Sequence, residues 1–191
     1  MKTRQHGFTM IELIVVIVIL GILAAVALPR FTNIQRDARI AKLNAARGAV
    51  QAASAMIRGV VLVRGGVADT GGCAGAAANA TNTVAVAGTV CTENGLINIL
   101  NGYPTADAPG IINAAGLTSA FFPAATTVAQ ANAALAAEGY TVSNGGNAIA
   151  SVLTIGVTGA PTPANCVFTY RPSTTATGGA ALITAAVTAG C

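Results

Sequence analysis

The sequence predicts an α+β protein in which a long N-terminal α-helix, about residues 8–64, packs its C-terminal half on an antiparallel β-sheet. Three observations predict it. Phe8 to Leu28 is a 21-residue run whose one charge is Glu12, long enough to cross a hydrocarbon core of about 30 Å at about 1.5 Å per residue. Residues 30–64 keep apolar side chains at steps of three and four until Gly65-Gly66. The last third, residues 148–191, alternates apolar and polar residues between Gly, Pro and Asn turns.

The chain has 191 residues, enough for one modest domain and an accessory segment. Hydrophobic residues make up 53% and charged ones 8%, but the apolar content is mostly Ala and Val, with no Trp. Large side chains are scarce, so the core is expected to be thin. The net charge of +4 is concentrated in the helix. Arg30, Arg36, Arg39, Lys42, Arg47, Arg58 and Arg64 have only Asp37 among them to oppose them. A basic stripe of this kind can meet nucleic acid or lipid headgroups. A solvated or subunit-facing helix surface explains it more simply, and no nucleic-acid partner is expected.

Taken in order, residues 1–7 form a short polar leader with Lys2 and Arg4, ending at Gly7. An ordinary secretory signal, cut after Ala25-Val26-Ala27, is the plain alternative. Against it, the apolar run contains Glu12, exceeds the usual 7–15 residues, and continues into a second helical segment without a turn. An acidic side chain in a bilayer core costs roughly 2.5–3.5 kcal/mol, so Glu12 is a functional candidate. Gly21 and Pro29 weaken the helix, and Pro29 should kink or loosen it. In the second half, residues 30–64, Phe31, Ile34, Ala38, Ala41, Ala45, Ala49, Ala52, Met56 and Val60 form one uncharged face. Ile40, Leu43, Val50 and Ile57 form a second stripe, interrupted by Arg36, Arg39, Arg47 and Arg58. Two stripes suit a helix that packs on its own domain and also on neighbouring subunits.

The head, residues 65–191, begins with a variable Gly/Ala-rich connection over 65–82 that includes the common sequon pattern Asn79-Ala80-Thr81. Thr83–Val90 and Leu96–Leu100 read as strands joined by the turn signal Glu93-Asn94-Gly95. Tyr103-Pro104 starts a loop, and Asp107 can cap a short helix over Ala108–Ala115. Thr127–Glu138 reads as a helix with Thr127 as cap and Gly139 as stop. Ala148–Val157, Cys166–Arg171 and Ala181–Thr188 read as three antiparallel strands. Four cysteines without CxxC or nearby His suggest disulfides rather than metal. Sequence order favours Cys73–Cys91 and Cys166–Cys191 among three possible connectivities, each worth roughly 3 kcal/mol by loop entropy.

The chemistry of catalysis is missing. The one histidine, His6, lies in the leader, and Asp69, Glu93, Asp107 and Glu138 are isolated in sequence. No phosphate-binding or nucleophile-elbow pattern occurs, and the glycine pairs Gly65-Gly66, Gly71-Gly72, Gly145-Gly146 and Gly178-Gly179 read as turns. No catalytic residue, cofactor or metal is assigned. Calcium held by Asp69 and Asn79 is the weak exception.

Gly7-Phe8-Thr9-Met10-Ile11-Glu12 closely resembles the prepilin peptidase site of type IV pilins and pseudopilins, and the likeness continues through Leu13–Ala24 to Pro29-Arg30-Phe31. It covers about 25 residues. Asn33–Arg39, Asn101-Gly102-Tyr103-Pro104 and Gly110-Ile111 resemble the mannose-sensitive haemagglutinin (MSHA) branch of the pilins. The resemblance implies a pilin fold, with a leader 1–7 removed by prepilin peptidase between Gly7 and Phe8 and methylation of the new Phe8 amine. It implies a transmembrane and filament-core half-helix over 8–29 and an assembly role for Glu12, with Gly21 and Pro29 as points of loosening. The C-terminal Cys166–Cys191 loop also matches many pilins.

The expected function is a structural subunit that polymerises with copies of itself into a type IV pilus for attachment, with motility as a further use. The precursor would wait in the bacterial inner membrane as a single-pass protein, N-terminus in the cytoplasm, and would meet the pilus assembly machinery there. No Lys or Arg shares the apolar segment with Glu12, so the Phe8 amine of the same or a neighbouring subunit is the expected partner. A pseudopilin of a type II secretion system shares the whole N-terminus and is the first alternative. A minor pilin binding DNA or sugar is the second, although Tyr103, Tyr140 and Tyr170 are scattered.

Overall fold

The computed structural model describes residues 8–73, 80–83, 87–175 and 179–191, with the side chain of Thr32 left aside. The chain divides into two compact units, Met1–Ala38 and Arg39–Cys191. Helix α1, Met10–Arg64, contributes to both and has Pro29 inside it.

In the first unit no described residue covers the apolar side chains of α1. From Phe8 to Ile34 the large hydrophobics are 46% to 80% exposed. A soluble chain does not leave such a surface to water, so this segment needs lipid or protein around it. It is long and apolar enough to cross a membrane.

The second unit is built on the rest of α1. Leu43, Ala46, Val50 and Ala53 enter a core with Leu153, Ile155, Phe168 and Tyr170. One turn further on, Ile57 and Val61 meet Val90, Ile97 and Ile99 in a second cluster. Burying each of these aliphatic side chains contributes about 1.5–3 kcal/mol. The head therefore packs on the interrupted stripe, whereas Ala41, Ala45, Ala52 and Met56 of the uncharged face stay exposed.

Two antiparallel sheets stand where one was expected. The first runs β1 (Ala87–Thr92), β2 (Gly95–Leu100) and β3 (Tyr103–Pro104) in that order. Glu93-Asn94 forms the predicted turn, pairing Thr92 with Gly95. Part of the predicted first strand, residues 84–86, lies outside the described residues. Tyr103-Pro104 is a strand, not the start of a loop, because Asn101 and Gly102 take positive φ and turn the chain back onto Leu100. The second sheet has the order β4 (Tyr140–Asn144), β5 (Leu153–Val157), β6 (Val167–Arg171) and β7 (Leu182–Ile183). Strand β4 was missed because Tyr140 and Val142 are too few to announce an alternation. The sheets are tied together by the Tyr170 hydroxyl, which donates to Pro104 O at 2.7 Å, and by Asn101 Nδ2, which donates to Ser173 O at 2.8 Å.

Between the sheets, Ala108–Ile112 is a π-helical turn that leads into the single α-turn α2, Asn113–Ala115. Asp107 stands at its N-cap position, but its side chain accepts from Thr105 Oγ1 at 2.6 Å and makes no regular cap hydrogen bond, although the Gly110 amide is near enough to stabilise the carboxylate. Helix α3, Val128–Ala137, starts with the Thr127 cap, which shares a reciprocal capping box with Gln130, and Gly139 follows its end at φ 75°.

Asp107 yields a pH test. It is 8% exposed, and burial raises its pKa above the ordinary 3.8, partly offset by the Thr105 hydroxyl. A raised folded-state pKa means the folded head binds the proton more tightly than the unfolded chain. The associated stability is complete below about 3.8 and is lost as pH rises through the folded value. Asp107→Asn, which can still accept from Thr105, is expected to raise the thermal midpoint at pH 7 and to remove this part of the pH dependence. Melts across pH 3.5–7 by circular dichroism check both.

Candidate functional site

The N-terminal end of α1 is shaped by Thr9. It stands just before the helix, where backbone amides lack partners. Thr9 N–H and its hydroxyl both donate to Glu12 Oε2, at 3.0 and 2.8 Å, and Glu12 N–H donates back to Thr9 Oγ1 at 3.3 Å. This is a capping box, and it places a carboxylate at the positive end of the helix dipole. Within one chain two neutral donors of Thr9 hold Glu12, beside the charged partner expected in the Phe8 amine. The signal, Thr-x-x-Glu, was present in the sequence. It was overlooked because the carboxylate was weighed against lipid and not against the helix end.

Phe8, 80% exposed, precedes the helix, while Gly7 and the rest of the leader lie outside the described residues. Further along, a Cβ built on Gly21 would meet nothing within 4 Å. Within one chain, neither packing nor backbone conformation requires a glycine there. The structure brings Glu12 and Thr9 together, and Gly21 and Pro29 lie further along the same helix.

Residues 2–28 match the family described as "Prokaryotic N-terminal methylation motif". The chain carries that motif. Its relatives agree with the match. It is 49% identical over 53 residues to the type IV narrow pilus major component PilA5 of Thermus thermophilus, which is 28% of this chain and 46% of that one. It is 40% identical over 53 residues to the type IV major fimbrial protein FimA of Dichelobacter nodosus, 28% of this chain and 34% of that one. It is 52% identical over 42 residues to the type IV major pilin PilE1 of Neisseria gonorrhoeae, 22% and 26% of the two chains. The matched stretches span less than half of each relative. No solved structure matches the chain. The motif, these relatives and the long helix followed by antiparallel sheets describe a pilin-like α+β protein whose apolar N-terminal helix is consistent with a membrane-anchored precursor.

The basic residues of the helix answer a different need from the one expected. Arg39 donates to Cys191 O at 2.8 Å, Arg47 to Thr184 O at 2.7 Å and Arg58 to Asn101 O at 3.1 Å. Lys42 donates to Glu138 O, at the end of α3, and lies 4.7 Å from the Tyr140 ring centre. Arg64 pairs with Asp69 Oδ2 at 2.7 Å. Arg39, Lys42, Arg47 and Arg58 thus tether their own head by satisfying its carbonyls, and Arg64 does so through a carboxylate, whereas Arg30 and Arg36 stay exposed. Asp69 is also occupied on Oδ1 by Asn82 Nδ2, at 3.0 Å. That takes up both oxygens of the weighed calcium ligand, and Asn79, its companion and the sequon asparagine, lies outside the described residues. Among the described residues no group of three or more His, Cys, Asp or Glu could hold a metal.

The structure joins Cys73 to Cys91 and Cys166 to Cys191. The first bond anchors the variable connection to β1. The second closes the C-terminal segment onto the start of β6, where Val187 also pairs with Val167.

Proposed function

We propose that this chain is the structural subunit of a type IV pilus, of the MSHA-like kind, and acts in surface attachment. The observation that carries this reading is the exposure of every described large hydrophobic side chain from Phe8 to Ile34, a stretch that overlaps the methylation motif. Such a surface is stable in a bilayer and equally stable against copies of itself. Leader residues 1–7 are removed between Gly7 and Phe8 on the cytoplasmic side and the Phe8 amine is methylated. Segment 8–29 then passes from inner membrane to filament core, 30–64 joins core to head, and the head 65–191 forms the outside. Burial of apolar surface on neighbouring helices replaces burial in lipid, so the transfer needs no cofactor and no reaction beyond processing.

Intact mass and N-terminal fragmentation of the cell-surface protein test this. The expected species starts at N-methyl-Phe8 and lacks four cysteine hydrogens. A species starting at Leu28 overturns the proposal and makes the apolar run an ordinary secretion signal. Deleting the gene is expected to abolish visible pili; a secretion defect with normal pili would instead support a type II pseudopilin.

A further inference from the structure

We infer that the head carries a binding recess for a neutral pyranose sugar, between the β1–β2 turn and the loop that follows α2. The recess, of about 320 Å³, is lined by Glu93, Asn94, Thr118, Ser119 and Phe121. That volume lies at the lower end of the roughly 300–1,000 Å³ typical of small-ligand sites.

Its floor is rigidly made. Asn113, 5% exposed, holds Phe122 from both sides: Nδ2 donates to Phe122 O at 2.8 Å and Oδ1 accepts from Phe122 N–H at 3.1 Å. Phe122 is thereby sunk into the core at 6% exposure, and Phe121 beside it is turned out at 38%. The Phe121 ring lies against Gly95, where a Cβ would come within 2.4 Å of the ring carbon Cε2. Gly95 also needs φ 94°, so the turn both reverses the hairpin and makes room for the ring. Asn94 Nδ2 donates to Asn113 O at 3.1 Å, which binds the turn to the same buried asparagine.

The chemistry of the wall selects the ligand. Glu93 has no hydrogen-bond or ion-pair partner among the described residues, so both carboxylate oxygens are available to accept. Asn94 Nδ2 gives one of its two hydrogens to Asn113 O, and its oxygen has no hydrogen-bond partner among the described residues and can accept. Thr118 accepts from Ala120 N–H at 3.2 Å, which leaves its hydroxyl hydrogen free to donate, and Ser119 adds a second hydroxyl. No Lys or Arg lines the recess, and Glu93 repels anions, so phosphates, acidic sugars and nucleic acid are disfavoured. Several acceptors beside one exposed aromatic face match a neutral pyranose, which offers hydroxyl donors on its rim and a C–H face to the ring. Every residue lining the recess belongs to one head, so the test needs no filament.

The test uses the full chain, unassembled, in a polyoxyethylene detergent that contains no sugar. Saturation-transfer NMR is recorded with glucose, galactose, mannose and N-acetylglucosamine at millimolar concentration, and with tetramethylammonium chloride as the cationic rival. At least one sugar is expected to receive saturation from the protein. Phe121→Leu and Glu93→Ala should each weaken it by about tenfold or more, and Phe121→Tyr, which keeps the ring, should retain it. Circular dichroism of each variant confirms the fold, and Glu93, exposed in a turn, is the substitution least able to disturb it. No transfer to any of the four sugars, transfer unchanged in Phe121→Leu and Glu93→Ala, or saturation of tetramethylammonium alone each overturns the inference.

Discussion

Glu12→Gln and Glu12→Ala are both expected to abolish, or slow by at least tenfold, the assembly of filaments, although they act differently on the helix end. Gln at the third helical position can still accept from Thr9 N–H and hydroxyl, so it preserves the capping box seen here. Ala loses the side-chain half of the capping box, while its backbone N–H can still donate to Thr9 Oγ1. If Glu12 serves assembly by pairing with the Phe8 amine of an adjacent subunit, removing its charge is enough, and the glutamine variant fails with the alanine one. A desolvated pair broken on one side costs roughly 3–5 kcal/mol, which corresponds to more than a hundredfold in rate or equilibrium if fully expressed. Electron microscopy of surface filaments, with immunoblots showing the membrane-held precursor at normal level, reads the outcome. Normal filaments from Glu12→Gln combined with failure of Glu12→Ala would reduce Glu12 to a helix cap and end the pairing idea.

Removing the Cys166–Cys191 bond, as Cys166→Ala with Cys191→Ala, is expected to destabilise the head by about 3 kcal/mol. The bond spans 25 residues, and both cysteines are buried, at 0% and 3% exposure. Cutting it frees the C-terminal segment, whose anchors beyond β7 include the Val167–Val187 bridge and the Arg39 bond to Cys191 O. Against a total stability of about 5–15 kcal/mol for a typical domain, that loss is large. Cys73–Cys91 spans 18 residues and ties a connection rather than the main core. The matching double alanine variant should therefore cost less. Urea unfolding of the full chain in detergent, followed by circular dichroism, ranks the two. Equal losses, or no loss for Cys166–Cys191, would show that the β6–β7 pairing holds the end of the chain unaided.

The long helix was readable because its evidence is local. An unbroken apolar run followed by steps of three and four needs no knowledge of the head. The β1–β2 hairpin and α3 were readable for the same reason: Glu93-Asn94-Gly95 and Thr127-x-x-Gln130 are short-range signals. What failed was longer in range or weaker in signal. Tyr103-Pro104 pairs only because Asn101 and Gly102 reverse the chain, and Tyr140–Asn144 becomes a strand because β5 is there to receive it. Asp107 takes the cap position that its place before a helix suggests, but its strongest side-chain bond goes to Thr105, which local signals do not show. Phe121 gave no sign of a recess, since Glu93 and Asn113 come to it only through the fold.

By itself the sequence determined the N-terminal helix, its membrane-compatible length and the Phe8 to Glu12 motif, all properties of neighbours along one chain. Only the tertiary structure decided which helix stripe is buried, since both stripes carry enough apolar residues and the choice depends on strands about a hundred positions away. It also decided the fate of the basic residues. Arg39, Lys42, Arg47 and Arg58 each answer a backbone carbonyl contributed by the folded head. A carbonyl's need for a donor leaves no trace in side-chain identity, so that pairing exists only in three dimensions.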